Sequence, residues 1–341
     1  MNTSLTSRIP WIDVCRGIAI ILVLYGHALA NDTQRFLIYA FHMPLFFFLS
    51  GIVFRLDKSK HFFSVILKNV RSILLPYFLF AVLTFIASYI ILQPQTYTYE
   101  SFTKQLYGMF YGNGNKGYLA YNVALWFLPC LFLTKIAFAF LSRFITNKGY
   151  LIPILIGFSL IGYGLSVFYP ALKLFFGLET ALTAFVFYGA GYLWNQSTGL
   201  KTFMMQKKVL LFGLTLLLTL LFAWLNFYFY GTQIDMRMNR MNNYFLFYFG
   251  AFSGIAASII GSMLIKKNAL LEYFGKHSLV LFVWHTMLFT YFRLHAIPPI
   301  KIEFVSPTLY LIQAAGIILF VRVFIEKMKA ASLAKLSNAR G

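Results

Sequence analysis

Charged residues are scarce in this sequence of 341 residues, since Asp, Glu, Lys and Arg together make up 11% of it. Acidic residues are the rarer sign, with nine Asp and Glu against 29 Lys and Arg. A soluble domain with a formal charge of +20 would suggest a nucleic-acid partner, but here the basic residues form short clusters between apolar runs. Such clusters orient membrane helices and contact anionic lipid. We therefore expect membrane lipids, and no nucleic acid, as partners.

Cysteine is also rare, and both examples, Cys15 and Cys130, lie inside apolar runs. Two isolated cysteines provide neither a disulfide framework nor a set of thiolate metal ligands. We interpret them as small buried apolar residues. The sequence predicts no metal site and no tightly bound cofactor.

What the sequence has in abundance is apolar surface: 60% of the residues are hydrophobic, 20% are aromatic and the mean hydropathy is +0.73. The core of a soluble protein does not need so large a share of apolar residues. We therefore predict an all-α, polytopic integral membrane protein. A bilayer calls for about 20 apolar helical residues per span. This length predicts ten spans, at residues 11–30, 36–54, 73–92, 122–141, 150–169, 178–194, 209–228, 244–265, 278–294 and 308–324.

The distribution of Lys and Arg predicts the orientation of these spans. Most of the basic residues fall in segments on the same side as the N-terminus, which places both termini in the cytoplasm. The chain then forms a single membrane domain over 1–341, with a motif region at 11–54, outer loops at 93–121 and 231–243, and a basic tail at 325–341. We expect it in the inner or plasma membrane.

A secretory signal is the alternative for the first span. Residues 18–25 resemble a short apolar core, and Ala28-Leu29-Ala30 resembles a cleavage site. Asp13 and Arg16 argue against it, because they lie where the apolar core of a signal peptide begins.

The first two spans carry ionisable groups that are costly to hold in a membrane, and such groups are read first as functional. Arg16 and His27 are eleven residues apart, which places them within about 20° of one helix face and roughly 16 Å apart along the axis. Asp13 can pair with Arg16 as its i, i+3 neighbour. His42, just ahead of Pro44, is expected at the same depth as His27.

Each of these residues also has an ordinary structural interpretation. A single Arg near the end of a span usually extends to the lipid head groups, and a single His often makes an interhelical hydrogen bond. His42 has the further alternative of being a loop-edge residue. The arrangement of the three on adjacent spans favours a site, but periodicity does not name a reaction.

The motif itself resembles acyltransferase family 3, and most closely its fucose 4-O-acetylase-like branch. The resemblance is carried by Asp13-x-x-Arg16-Gly17, by Gly26-His27, and by the run Phe41-His42-Met43-Pro44-Leu45-Phe46-Phe47-Phe48-Leu49-Ser50-Gly51. Weaker agreement comes from Leu125-Trp126-Phe127-Leu128, from Gly275-Lys276-His277-Ser278-Leu279 and from Trp284-His285. The similarity extends over essentially the whole chain.

The resemblance implies an acyltransferase that moves an acyl group, usually acetyl from cytoplasmic acetyl-CoA, onto a hydroxyl of a cell-surface or lipid-linked carbohydrate. The essential Arg and His of the family correspond to Arg16 and His27. We expect Arg16, held by Asp13, to bind a CoA phosphate. His27 is expected to be the general base, with a transient acyl-His as the alternative. Acetyl-CoA is then a co-substrate.

Further candidates surround this pair. His42 is expected to orient the acceptor or stabilise the oxyanion, and Ser50 to donate a hydrogen bond. Glu179 is predicted to bind acceptor hydroxyls or His27, or else to be a solvated acid at a helix start. Trp126 is either a substrate platform or a packing aromatic, and His285 either a site residue or a buried histidine with a structural partner.

A transporter or flippase of a lipid-linked sugar is the rival hypothesis. Intramembrane histidines would then be protonation sites, and Arg16 would anchor a head group. Transporters of that kind commonly consist of paired halves with interrupted helices, and the sequence has no such symmetry. The oligomeric state stays open.

Overall fold

The structure, a computed structural model, describes residues 9–29, 32–55, 61–92, 99–145 and 147–295, together with the single positions 308, 312, 315, 316 and 319. Over these ranges the fold is all-helical, as predicted, and its β-type pairing is limited to an isolated bridge between Asp235 and Arg240.

Fourteen α-helices lie in the described ranges: α1 Pro10–Ala28, α2 Asp32–Tyr39, α3 His42–Ile52, α4 Phe62–Asn69, α5 Leu75–Leu92, α6 Tyr99–Tyr111, α7 Phe127–Phe144, α8 Leu151–Phe168, α9 Leu178–Gln196, α10 Thr198–Gln206, α11 Lys208–Tyr230, α12 Tyr244–Ile265, α13 Ala269–Lys276 and α14 Ser278–His295. A π-helical segment, Val70–Leu74, joins α4 to α5. Short 3₁₀ segments precede α7, α8 and α9, at Val123–Trp126, Lys148–Tyr150 and Phe175–Gly177, and a fourth lies at Met236–Met238.

Seven helical stretches of the described residues are long and apolar enough to cross a membrane: Pro10–Ala28, Asp32–Ile52, Phe62–Ile90, Val123–Phe144, Leu151–Phe168, Lys208–Tyr230 and Tyr244–Ile265. The apolar part of α14, Ser278–Thr290, is shorter. The membrane fold is therefore confirmed, whereas the count of ten spans and the orientation of the termini stay predictions. The predicted tenth span, 308–324, lies almost wholly outside the described residues.

α9 was predicted as the sixth span but does not reach the apolarity of the other seven. It packs against α3, α7 and α8, and most of its residues are buried. A helix that is enclosed by other helices meets little lipid, so it can carry Thr, Gly and Glu without exposing them to hydrocarbon. Its interior position explains its composition.

Two close helix crossings fix the motif helices, and each depends on a pair of glycines. A Cβ at Gly17 of α1 or at Gly275 of α13 would collide with the backbone of the other helix. Gly51 of α3 and Gly191 of α9 form the same kind of crossing. Small residues at such positions let helix backbones approach closely in membranes. α1 and α3 are thereby held at the centre of the bundle.

These helices define two ends of the molecule. The "His27 end" contains the C-terminus of α1, the N-terminus of α3 and the loop between α11 and α12; the "Arg16 end" contains the N-terminus of α1 and the C-terminus of α3. The predicted loop 93–121 is only partly a loop, because α6 occupies Tyr99–Tyr111. The Tyr, Phe and Leu residues of α6 recur at helical spacing, but the polar residues between them make the segment resemble a loop.

Candidate active site

A cavity of about 320 Å³ opens at the His27 end. His27 and His42 both line it, which confirms the expectation that they lie at the same depth. Trp126, at the end of the 3₁₀ segment before α7, contributes another wall, and the loop between α11 and α12 covers the cavity. The two imidazoles predicted to lie together therefore border one space that is large enough for part of a sugar.

Aromatic rings link the histidines of this region. The ring centroids of His27 and His285 are 5.0 Å apart, so α14 delivers a third imidazole beside the first. Tyr39 lies between the predicted pair, with its ring centroid 6.0 Å from that of His27 and 4.9 Å from that of His42. His27 and His42 thus face a common tyrosine.

Backbone carbonyls set the tautomers of two of these imidazoles. Nδ1 of His42 donates to the carbonyl oxygen of Ile38 at 2.8 Å, and Nδ1 of His285 donates to that of Phe282 at 2.7 Å. A neutral imidazole that donates from Nδ1 has Nε2 as its acceptor. In His285 this Nε2 is fully buried and has no hydrogen-bond partner among the described residues. His285 is not among the residues that line the cavity, so it lies behind His27 and not at the open space.

Asn122 fixes α14 on both sides of His285. Its Nδ2 donates to the carbonyl oxygen of Val283 at 2.7 Å, and its Oδ1 accepts from the hydroxyl of Thr286 at 2.6 Å. The 3₁₀ segment that carries Trp126 begins at the residue after Asn122. One amide side chain therefore connects this segment to α14. The sequence analysis did not identify Asn122, since a single Asn before an apolar run carries no specific signal.

The loop between α11 and α12 contributes the charged residues Asp235, Arg237 and Arg240 to the cavity lining. The carboxylate of Asp235 accepts hydrogen bonds from the backbone N–H groups of Arg237 and Met238, at 3.0 and 3.3 Å, and from the Arg237 guanidinium at 3.2 Å. Arg237 also donates to the carbonyl oxygen of Gly114 at 2.8 Å. The predicted loops 93–121 and 231–243 therefore join at the mouth of the cavity.

Arg35 of α2 also lines the cavity and was missed. Its guanidinium carbon is 5.9 Å from the centroid of the Tyr39 ring, within the range of a cation–π contact. Arg35 lies four residues before Tyr39, and this spacing on a helix places both side chains on one face. That spacing is the signal that would have identified it.

Glu179 is not brought into this cavity. Its carboxylate is 1% exposed, and its two oxygens accept from Nδ2 of Asn113 at 2.9 Å and from the backbone N–H of Leu174 at 3.0 Å. These bonds hold the segments before α7 and α9 against each other. The structure therefore gives Glu179 a structural position beside the site rather than contact with the space that His27 borders.

At the Arg16 end, Arg16 and Asp13 form the predicted i, i+3 ion pair at 3.5 Å. A second cavity, of about 300 Å³, lies nearby at the C-terminal end of α3. Ser50, predicted to donate a hydrogen bond to a substrate, lines this second cavity and not the one at His27. Successive helical residues point in different directions, so Ser50 and His42 on one short helix serve different spaces.

The second cavity is strongly basic, and four cationic side chains line it: Arg55, Lys68, Lys135 and Arg143. Arg16 is not among the residues that line this cavity. A site of this kind suits a ligand with several negative charges. Within the part of the chain that the structure describes, no cluster of His, Cys, Asp or Glu has the arrangement of a metal site.

Comparison with protein families gives one match, to the family described as "Acyltransferase domain", acyltransferase family 3, over residues 9–326. Comparisons with curated proteins and with solved structures find no match. The matched residues include all of the site residues named above and nearly the whole chain. The chain therefore belongs to acyltransferase family 3 and is a membrane acyltransferase.

Proposed function

We propose that the protein is an O-acetyltransferase that takes acetyl from cytoplasmic acetyl-CoA and transfers it to a hydroxyl of a cell-surface or lipid-linked carbohydrate. The observation that carries this proposal is the pair of cavities at opposite ends of α1 and α3. Four cations line one of them, and the imidazoles of His27 and His42 line the other together with charged residues of α2 and of the loop between α11 and α12. A polyphosphate donor and a hydroxyl acceptor need those two environments.

The basic cavity suits the donor. Acetyl-CoA carries its phosphates at one end and its thioester at the other, with a long pantetheine arm between them. With Lys68, Lys135 and the ion-paired Arg16 holding the phosphates, the arm follows the face of α1 toward His27, roughly 16 Å along the helix axis. This assignment places the Arg16 end in the cytoplasm, in agreement with the charge distribution of the loops.

The cavity at the His27 end suits the acceptor. His27, as general base, removes the proton of the acceptor hydroxyl while its oxygen attacks the thioester carbonyl. The C–S bond then breaks, the acetyl ester forms, and the proton passes from His27 to the departing CoA sulfur. Trp126 and His42 hold the acceptor from two sides of the cavity, and His285 positions the His27 ring. No step in this sequence needs a further co-reactant.

The test uses membranes that contain the full chain, acetyl-CoA with a labelled acetyl group, and the glycans and lipid-linked sugars of the host. We expect label in the carbohydrate fraction with the unchanged protein and its loss with His27→Ala and with Arg16→Ala. His61→Ala is the matched control, because His61 is exposed and lines neither cavity. Full acetylation by both site variants would refute the proposal, and movement of a lipid-linked sugar without acyl transfer would support the transporter instead.

A further inference from the structure

A third cavity, of about 490 Å³, lies between α3, α9, α10, α11 and α12. Its lining is apolar apart from Trp194, Ser197 and Thr215. The polar groups of these three already make hydrogen bonds. Nε1 of Trp194 donates to the sulfur of Met204 at 3.4 Å, and the hydroxyls of Ser197 and Thr215 are bonded to the backbones of α10 and α11. The walls therefore suit hydrocarbon, because a polar ligand would lose its hydrogen bonds to water there.

The cavity is elongated and reaches the surface at the Arg16 end, where α10 connects α9 to α11. Its lining along α12 runs from Phe252 to Ile260, roughly 12 Å at 1.5 Å per residue. Leu200 and Phe203 of α10 belong to the lining and are exposed, as is the neighbouring Val209 of α11. The cavity thus opens onto an apolar surface and has the shape of a channel for a single acyl chain.

Three lysines lie at the open end of this cavity. Lys201 is on α10, and its Nζ is 5.0 Å from the centroid of the Trp194 ring, which lines the cavity. Lys207 is one helical turn before the lining residue Leu211, whose N–H donates to the carbonyl oxygen of Lys207 at 2.9 Å. Lys208 begins α11. The apolar channel therefore ends at a cluster of ammonium groups.

The charge of this cluster is not balanced by acidic residues of the same region. Residues 180–234 contain these three lysines and no Asp or Glu. Within the described part of the chain, none of the three forms an ion pair. The ammonium group of Lys201 donates to the carbonyl oxygen of Asn195 and to its Oδ1, at 3.1 Å for the latter, which fixes it beside Trp194. Such a cluster suits a phosphate.

From the channel and the cluster together we infer a binding site for one anionic glycerophospholipid. Its phosphate lies at Lys201, Lys207 and Lys208, and one of its acyl chains fills the cavity. Basic groups between membrane helices on the cytoplasmic side bind lipid head groups of this kind, and the predicted orientation places the Arg16 end on that side. The site shares no lining residue with the two cavities of the proposed reaction and does not depend on that reaction.

The bound lipid has a consequence for the motif helix α3. Phe48 of α3 lines the cavity, and the backbone of Phe48 is the group that a Cβ at Gly191 of α9 would strike. The acyl chain therefore packs directly behind the crossing that positions α3. Binding should raise the temperature at which the protein unfolds, since a ligand that binds only the folded state stabilises it.

The first test uses the full chain, purified in detergent and freed of lipid, with phosphatidylglycerol or phosphatidylcholine of identical acyl chains as the probe. Native mass spectrometry counts the bound lipid, and thermal unfolding measures its effect. We expect one phosphatidylglycerol to be retained, with a rise in the unfolding temperature, at concentrations where phosphatidylcholine is not. Equal retention of the two lipids overturns the assignment of the phosphate to the lysines.

Substitutions separate the cluster from the channel. Lys201→Gln, Lys207→Gln and Lys208→Gln should each weaken phosphatidylglycerol binding about fivefold. Arg71→Gln is the matched control, because it removes an exposed charge at the same end that lies outside this cavity. If the control weakens binding as much as the lysine variants do, the charge effect is not local and the site is refuted.

Ala256→Phe and Ala190→Phe place a ring in the cavity and keep all three lysines. Both should abolish the bound lipid and its effect on the unfolding temperature. Gel filtration identifies a variant that has failed to fold, and two positions on different helices are used for that reason. Undiminished phosphatidylglycerol binding in a folded Phe variant overturns the placement of the acyl chain.

Discussion

The imidazole rings of His27 and His285 lie 5.0 Å apart, although one belongs to the first helix and the other to the last helix that the structure describes throughout its length. Nδ1 of His285 donates to the backbone of its own helix, so Nε2 is the ring nitrogen that can interact with a group on α1. We therefore regard His285 as a positioning residue for the base, joined to the site by tertiary packing alone.

Replacing His285 should lower kcat more than it changes KM. His285→Ala removes the ring that restrains His27, and we expect kcat to fall about tenfold to a hundredfold, with KM for acetyl-CoA within about twofold. His285→Gln places a polar oxygen near the position of Nε2 and should restore part of the loss. Steady-state kinetics with labelled acetyl-CoA measure both values. Equal activity of His285→Ala and the unchanged protein contradicts the positioning role.

If the basic cavity binds acetyl-CoA as proposed, replacing its lysines should affect the donor and not the acceptor. Lys68→Gln and Lys135→Gln should each raise KM for acetyl-CoA about tenfold, since each removes one charge-assisted contact, and the acceptor KM should stay constant. With acetyl-dephospho-CoA, which lacks one phosphate, the difference in donor KM between the variants and the unchanged protein should be smaller. Lys267→Gln is the control, because this exposed lysine follows α12 at the same end of the molecule but outside the cavity.

Glu179 gives a test of its two interpretations. Because both of its oxygens accept hydrogen bonds inside the protein, Glu179→Gln should lower stability by about 1–3 kcal/mol. It should leave the acceptor KM unchanged in the folded fraction. Thermal unfolding in detergent and acceptor kinetics measure these separately, and Asn113→Ala should reproduce the stability loss. A raised acceptor KM with normal stability would instead support the interpretation that Glu179 binds the substrate.

Replacing glycine by alanine should have opposite effects on stability at two helical positions, one inside the crossing of α1 and α13 and one outside it. Gly275→Ala places a methyl group against the backbone of α1 and should destabilise the protein by about 1–3 kcal/mol. Gly213→Ala in α11 meets nothing within 4 Å, so the higher helix propensity of Ala should stabilise it by up to about 1 kcal/mol. Melting temperatures of the two variants test the prediction, which fails if both shift in the same direction.

The motif region could be predicted in detail because its signals are local. The spacing of Arg16 and His27, the pairing of Asp13 with Arg16 and the return of His42 follow from helix periodicity and a short connection. Which cavity Ser50 lines could not be predicted, because periodicity within one helix does not tell which neighbouring helix each face meets.

The remainder of the site depends on contacts between distant segments. Arg237, Arg35 and Asn122 come from three different elements. The spacing of Arg35 and Tyr39 puts both on one helix face, but no local pattern marks Arg237 or Asn122 as belonging with His27. Glu179 was expected near the acceptor because of its depth, but the polar groups of the segments around it satisfy it instead. α9, the predicted sixth span, is less apolar than the seven membrane-length stretches, since burial by protein removes the demand for apolar residues.

The glycine crossings on α1 and α3 have a consequence for the donor. Because the backbones of α1 and α13 touch near Arg16, the rotation of α1 about its own axis is fixed at that point. One alanine inserted between Arg16 and His27 would lengthen α1 by only about 1.5 Å but turn His27 by about 100°. The thioester would still reach the correct depth and would meet the wrong side of the helix.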